Sequence, residues 1–246
     1  LGIFLFQRYD FQMLVFISVA LGLIALTLLA FTKMSVPAGI GQQKLSFKSF
    51  SLFRSLVDRR SAFPALITFL ATFGYGSIVT FVVIFAQEKN LEHVFLFYLL
   101  NAVCATIVRP ITGQWFDRHG PWSLIILCSL LSFAGMWILA LAESNVQLAI
   151  AGTTFGLGYA SMIPALQSWV LSKTTREKSG TANGMYYSAI DLGIGISALI
   201  LGFVKPLVDT AALFELSSTC FVIVALLTYI DYVKQRKTTI EKDISG

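Results

Sequence analysis

Residues 181–204 read TANGMYYSAIDLGIGISALILGFV, and Asp191 is the one charged side chain among them. Wound as a helix rising about 1.5 Å per residue, this stretch reaches about 36 Å, enough to cross a hydrocarbon core of about 30 Å. Six other stretches share its character: Phe11 to Phe31, Ala62 to Ala86, Val94 to Ile111, Trp122 to Ala142, Gln147 to Leu171 and Ala211 to Asp231. In chain order they make seven predicted spans, with Thr181 to Val204 the sixth. The chain therefore reads as an all-α membrane protein, since only helices satisfy every backbone group within a single segment in lipid.

Charge supports the span count independently. Of the 18 Lys and Arg, all but Arg8, Lys89 and Lys205 fall on alternate loops, so they lie on one side of the membrane. Basic loops are retained in the cytoplasm, which places that side, and the C-terminus with it, inside the cell. The setting expected is the plasma membrane of a bacterial cell. The composition, 56% hydrophobic and 13% charged, departs from that of soluble domains, in which about a quarter of residues are charged. The net charge of +5 sits in loops beside spans, so membrane orientation accounts for it and no nucleic-acid partner is implied. Cys104, Cys128 and Cys220 are isolated thiols inside spans, and His93 and His119 have no partner at metal-ligand spacing. No cofactor and no metal are expected.

One connection is long. Residues 33–60 separate the first span from six closely spaced ones and read as a central cytoplasmic linker. Phe47, Phe50 and Phe53 recur there with Lys48, Arg54, Arg59 and Arg60 interleaved. That spacing suits a short amphipathic helix on the anionic inner leaflet, or else a flexible linker with scattered aromatics. The organisation expected is a helical remnant and one span over 1–32, the linker over 33–60, a six-helix domain over 61–233 and a cytoplasmic tail over 234–246. Leu1 to Phe6 read as the outer end of a helix that starts upstream, which makes the sequence a fragment.

Polar residues inside the spans need reasons. An ionised carboxylate at mid-membrane costs about 2.5 to 3.5 kcal/mol on insertion scales, and Asp191 sits near the middle of its span. Asn183, Tyr187 and Asp191 stand four residues apart and form one stripe, which must face protein or water. Two readings of Asp191 stand: a carboxyl that exchanges protons or pairs with a solute, or a structural group bonded to a neighbouring helix. In span five Gly152 and Gly156 form GxxxG, Pro164 follows, and Gly152, Gly156, Tyr159 and Gln167 lie on roughly one face. That face either lines a cavity or packs closely on another helix. In span two Thr72 and Tyr75 share a face and offer a second cavity wall, and Asn101 is the mid-span polar residue of span three.

Between spans three and four the chain reads RPITGQWFDRHGP, Arg109 to Pro121. Arg109 and Pro110 are expected to close one helix, Gly113 and Gly120 to permit a tight turn, and Asp117 and Arg118 to set opposite charges at the membrane edge. Such charges can latch two helix bundles that rock against each other. The spacing G-x-x-x-D-R-x-G, carried by Gly113, Asp117, Arg118 and Gly120, resembles the cytoplasmic loop signature of the major facilitator superfamily, with Pro121 where a basic residue is usual. Arg109 and Pro110 before it look like the drug- and sugar-efflux antiporter branch.

The resemblance covers nearly the whole chain and implies the end of helix five, helix six, the central loop and helices seven to twelve of a twelve-helix transporter. It further implies a solute pathway between two six-helix halves, with spans two and five lining it and spans three and six facing the other half. The expected activity is proton-coupled export of a small amphipathic solute or metabolite by alternating access. Asp191 is then the proton-coupling candidate. Thr72, Tyr75, Asn101, Tyr159, Gln167, Asn183 and Tyr187 are the cavity residues, and Arg109, Gly113, Asp117, Arg118 and Gly120 form the gate. The partners implied are the solute, protons, membrane lipids and the N-terminal half. A proton-coupled uptake symporter of the same fold is the nearest rival. A polytopic membrane enzyme is a remoter one, for no nucleophile, base or metal cluster gathers in the sequence.

Overall fold

The computed structural model describes residues 11–31 and 57–245, and everything described is helix or short connection. The helices are α1 (Phe11–Phe31), α2 (Ala62–Glu88), α3 (Phe95–His119), α4 (Pro121–Ala140), α5 (Asn145–Ser172), α6 (Ser179–Val204) and α7 (Thr210–Ser245). Among the described residues α2 to α7 are long and apolar enough to cross a membrane, and α1 carries a shorter apolar run, Val15–Phe31. Residues 1–50 and 51–246 form two separate compact units, with α1 in the first and the other six helices in the second. The expected amphipathic segment around Phe47 to Phe53 lies outside the described residues.

Within the six-helix unit α5 packs between α3 and α4, α7 between α4 and α2, and α6 on α2. Half or slightly more of the apolar stretch is buried in α2, α4, α5 and α7, against 6% in α3 and 17% in α6. α3 and α6 therefore leave most of their surface free within this unit. The core is built from large apolar groups such as Met136, Phe155, Trp169 and Phe221, joined by Phe97 of α3, all essentially without solvent access.

Local chemistry sets the helix ends. At the start of α5 the Ser144 hydroxyl accepts the Gln147 N–H at 3.3 Å, while Gln147 Oε1 accepts the Glu143 N–H at 2.7 Å, a reciprocal cap of the S-x-x-Q kind. Between α3 and α4 the chain turns on Gly120, whose φ of 74° is left-handed, and Pro121 opens α4 where no N–H is needed.

One expectation is corrected. Arg109 and Pro110 do not close a helix: α3 continues through Pro110 to His119, so the signature residues Gly113, Asp117 and Arg118 are helical and Gly120 alone makes the turn. A proline forfeits its own N–H bond to the carbonyl four residues back, and the rest of the ladder can continue around it. Residues 234–245 are helical and continue α7.

Candidate functional site

The polar stripe of α6 meets α5. Gln167 Nε2 donates to Asn183 Oδ1 at 3.1 Å and lies 3.5 Å from the Tyr187 hydroxyl, so three residues singled out by spacing form one cross-helix set. Asp191 lies one turn further along, halfway down α6, on its exposed face. Among the described residues no hydrogen bond or ion pair reaches its carboxyl. The helices packed on α6 bring no charged residue to that level: α5 has none, and α2 has only Glu88 at its C-terminal end.

Beside this set lies a cavity of about 530 Å³ walled by α3, α4, α5 and α6. From α3 come Arg109, Thr112, Gly113, Phe116 and Asp117, and from α5 a run that includes Ser161, Pro164 and Gln167. Tyr186, Tyr187 and Ile190 close it from α6, where Tyr186 fixes the wall by donating its hydroxyl to the Ile163 carbonyl at 3.0 Å. Three gate residues, Arg109, Gly113 and Asp117, thus share one space with Gln167 of α5 and Tyr187 of the α6 stripe. Arg118 and Gly120 do not line it, and Asp117 makes no ion pair or cap within the described residues.

The other candidates are placed differently. Tyr75 and Tyr159 stack, ring centroids 4.3 Å apart, and Phe155 lies flat beside them at 6.0 Å and 5.2 Å. Thr72 is fully buried, and its hydroxyl lies within bonding range of the Thr68 carbonyl on its own helix and the Ala189 carbonyl of α6, at 2.9 Å and 3.2 Å. Asn101 is half-buried on α3, its backbone pressed against Gly156. A Cβ on Gly156 would lie 2.7 Å from Asn101 Cα, and one on Gly152 would collide with the Phe97 backbone. Gly152 and Gly156 thus pack closely on α3, whereas Gln167, further along the same face, lines the cavity.

Reading the sequence missed Ser161, Tyr186 and Asp58. Ser161 and Tyr186 carry no spacing signal, because each reaches its position through the crossing of α5 and α6. Asp58, beside Arg59 and Arg60, reads as one charge in a solvated loop, yet it is only 6% exposed. Its carboxylate accepts the Thr174 hydroxyl at 2.6 Å, its N–H points to the Met185 sulfur at 3.1 Å, and nearby Ser61 donates to the Val170 carbonyl at 2.9 Å. The Thr174 hydroxyl, ahead of the Arg60 N–H and the charges of Lys178 and Arg60, holds the Asp58 carboxyl below the usual carboxylate range against the opposing effect of burial. The basic end of the linker is thereby fastened to the α5–α6 connection. At the opposite end of α2, Glu88 pairs with Lys205 at 2.8 Å and accepts the Thr210 hydroxyl at 2.6 Å.

Comparison with known proteins places this geometry in context. The profile of the Major Facilitator Superfamily matches residues 1–198. YwoD of Bacillus subtilis, described as an uncharacterized MFS-type transporter, is 31% identical over 149 residues, which cover 58% of this chain and 33% of that protein. YhhS of Escherichia coli, described in the same words, is 23% identical over 230 residues, 93% of this chain and 54% of that protein. The crystal structure of the Escherichia coli fucose:proton symporter FucP superposes with a TM-score of 0.67 at 20% identity, over 89% of this chain and 54% of that one. At that identity the likeness shows the fold alone. The chain spans between a third and just over half of the length of these relatives.

Proposed function

Because the chain belongs to the Major Facilitator Superfamily, a family of multi-pass membrane transporters, we propose that it is part of a secondary carrier that exports a small amphipathic solute in exchange for protons by alternating access. The observation that carries this reading is Asp191. A carboxyl at mid-helix, on a face that the described half leaves bare, is too costly to leave against lipid and so calls for protein or water opposite it. A pathway between two halves supplies both. There alternating access can present the Asp191 carboxyl first to one side of the membrane and then to the other, which is what coupling to a proton requires.

In this reading Asp191 binds the proton, and Gln167, Asn183 and Tyr187 carry its environment across to α5. Tyr75, Tyr159, Thr72 and Asn101 belong to the walls of α2, α3 and α5. Arg109, Gly113, Asp117, Arg118 and Gly120 form the cytoplasmic gate, with the partner of the Asp117–Arg118 charges contributed by residues beyond those described. The protein sits in the plasma membrane of a bacterial cell with its C-terminus in the cytoplasm, as the basic loops direct.

Uptake in symport with protons is the rival within the same fold, favoured by FucP being a proton symporter. Solute movement in everted and right-side-out vesicles under an imposed pH gradient separates the two. Export predicts that an acid-inside gradient in everted vesicles drives solute inward, and accumulation in right-side-out vesicles under an acid-outside gradient would replace it by uptake.

A further inference from the structure

Resting on the transport reading, we propose that the cavity between α3, α5 and α6 is a binding site for an amphipathic organic anion, its acidic head paired with Arg109 and its apolar body against Phe116, Ile163 and Pro164. Arg109 stands fourteen residues into α3 from Phe95, about 21 Å along a helix in a hydrocarbon core about 30 Å thick. A guanidinium at that depth requires an anion or a headgroup. Among the described residues nothing ion-pairs with Arg109, although it lines an open space of about 530 Å³. The sole carboxylate on the same wall, Asp117, lies two turns nearer the cytoplasmic end and is not bonded to it.

A second observation points into the same space independently. Ser161 lines the cavity, is 1% exposed, and its hydroxyl has no hydrogen-bond partner among the described residues. A buried hydroxyl left unpaired is destabilising unless something fills the gap, and it is a ready donor to an oxyanion. With Arg109 offering a planar fork, Ser161 a single O–H and the rest of the lining mostly apolar, the complementary solute carries one acidic group on a hydrophobic body.

The test uses the full-length transporter, purified in detergent, and three probes that share one ring and differ in the head: phenylacetate, phenylacetamide and phenethylammonium. Binding is read by thermal shift against ligand concentration. Phenylacetate is expected to bind at least about 10-fold more tightly than the amide, a preference that Arg109→Gln abolishes and Arg109→Lys partly keeps. Ser161→Ala should weaken phenylacetate about 2- to 10-fold while leaving the amide less affected. The ligand-free melting temperatures of the variants establish that each one folds. Equal binding of the three probes, an anion preference that survives Arg109→Gln, or a preference for phenethylammonium that Asp117→Asn removes would each overturn the proposal. Because binding is read without flux, anion binding with no solute transport would remove the transport reading and leave the site. Transport of other solutes with no anion binding would do the reverse.

Discussion

Gln167 and Asn183 are joined side chain to side chain at 3.1 Å, and through them the C-terminal part of α5 is tied to the helix that carries Asp191 halfway along its length. Such bonds within a bilayer are worth about 0.6 kcal/mol on average and up to about 1.7, so Gln167→Leu should destabilise the bundle by about 1 kcal/mol. Thermal unfolding of the detergent-solubilised protein measures this. An unchanged melting temperature would mean that the pair is not held in the membrane.

Asp191→Asn keeps the size and hydrogen-bonding capacity of the side chain and removes its ability to ionise. Proton-driven solute movement in vesicles is expected to disappear, while solute exchange without a pH gradient persists. Full proton-driven accumulation in the variant would assign Asp191 a structural role.

The glycines of the α3–α5 contact differ from Gly113 of the loop signature. Gly156→Leu forces a side chain into the Asn101 backbone and should cost about 1 to 3 kcal/mol by prising α3 from α5. Gly113, also helical, has nothing within 4 Å of where a Cβ would stand, so Gly113→Ala should be neutral or raise stability by up to about 1 kcal/mol. Melting temperatures of the two variants, measured side by side, test the contrast. A loss of transport in a fully stable Gly113→Ala would give this glycine a part in gating.

For Asp58 the sign follows from its lowered folded-state pKa. The interaction contributes fully at neutral pH, above the ordinary carboxylate value of 3.8, and is lost as pH falls from there through the lower value of the folded protein. Thr174→Val removes the first cause of the shift, so the variant should be less stable than the parent at neutral pH, and the difference should shrink on acidification. Melting temperature followed from neutral pH down to about 3 records it, and a gap that stays constant across that range would contradict it.

Orientation is open to chemical labelling. In a background lacking Cys104, Cys128 and Cys220, Arg176→Cys in the α5–α6 connection should react with a membrane-impermeant maleimide in everted vesicles and not in intact cells. Labelling from outside would invert the topology.

The helices were legible because lipid imposes a blunt rule: a stretch with no charge and enough length must wind up. The Asn183, Tyr187, Asp191 stripe was legible too, since a spacing of four fixes a face. Pro110 misled because proline is a reliable stop in water, where a freed carbonyl turns to solvent, whereas α3 simply carries on. What remained hidden depends on which elements cross. Nothing in span five says that Gly152 and Gly156 press on Phe97 and Asn101, and nothing in the linker says that Asp58 will find Thr174. The cavity required four helices to converge, so its individual residues were visible and their company was not.

α2 is anchored at its N-terminal end through Ser61 and Val170, at its C-terminal end through Glu88 with Lys205 and Thr210, and at mid-length by Gly193 of α6 seated against Thr72. A beam clamped at three points has no slack to bend on its own. If this half changes its tilt to open one membrane face and shut the other, it must swing as a block, and the give has to be found in joints outside α2.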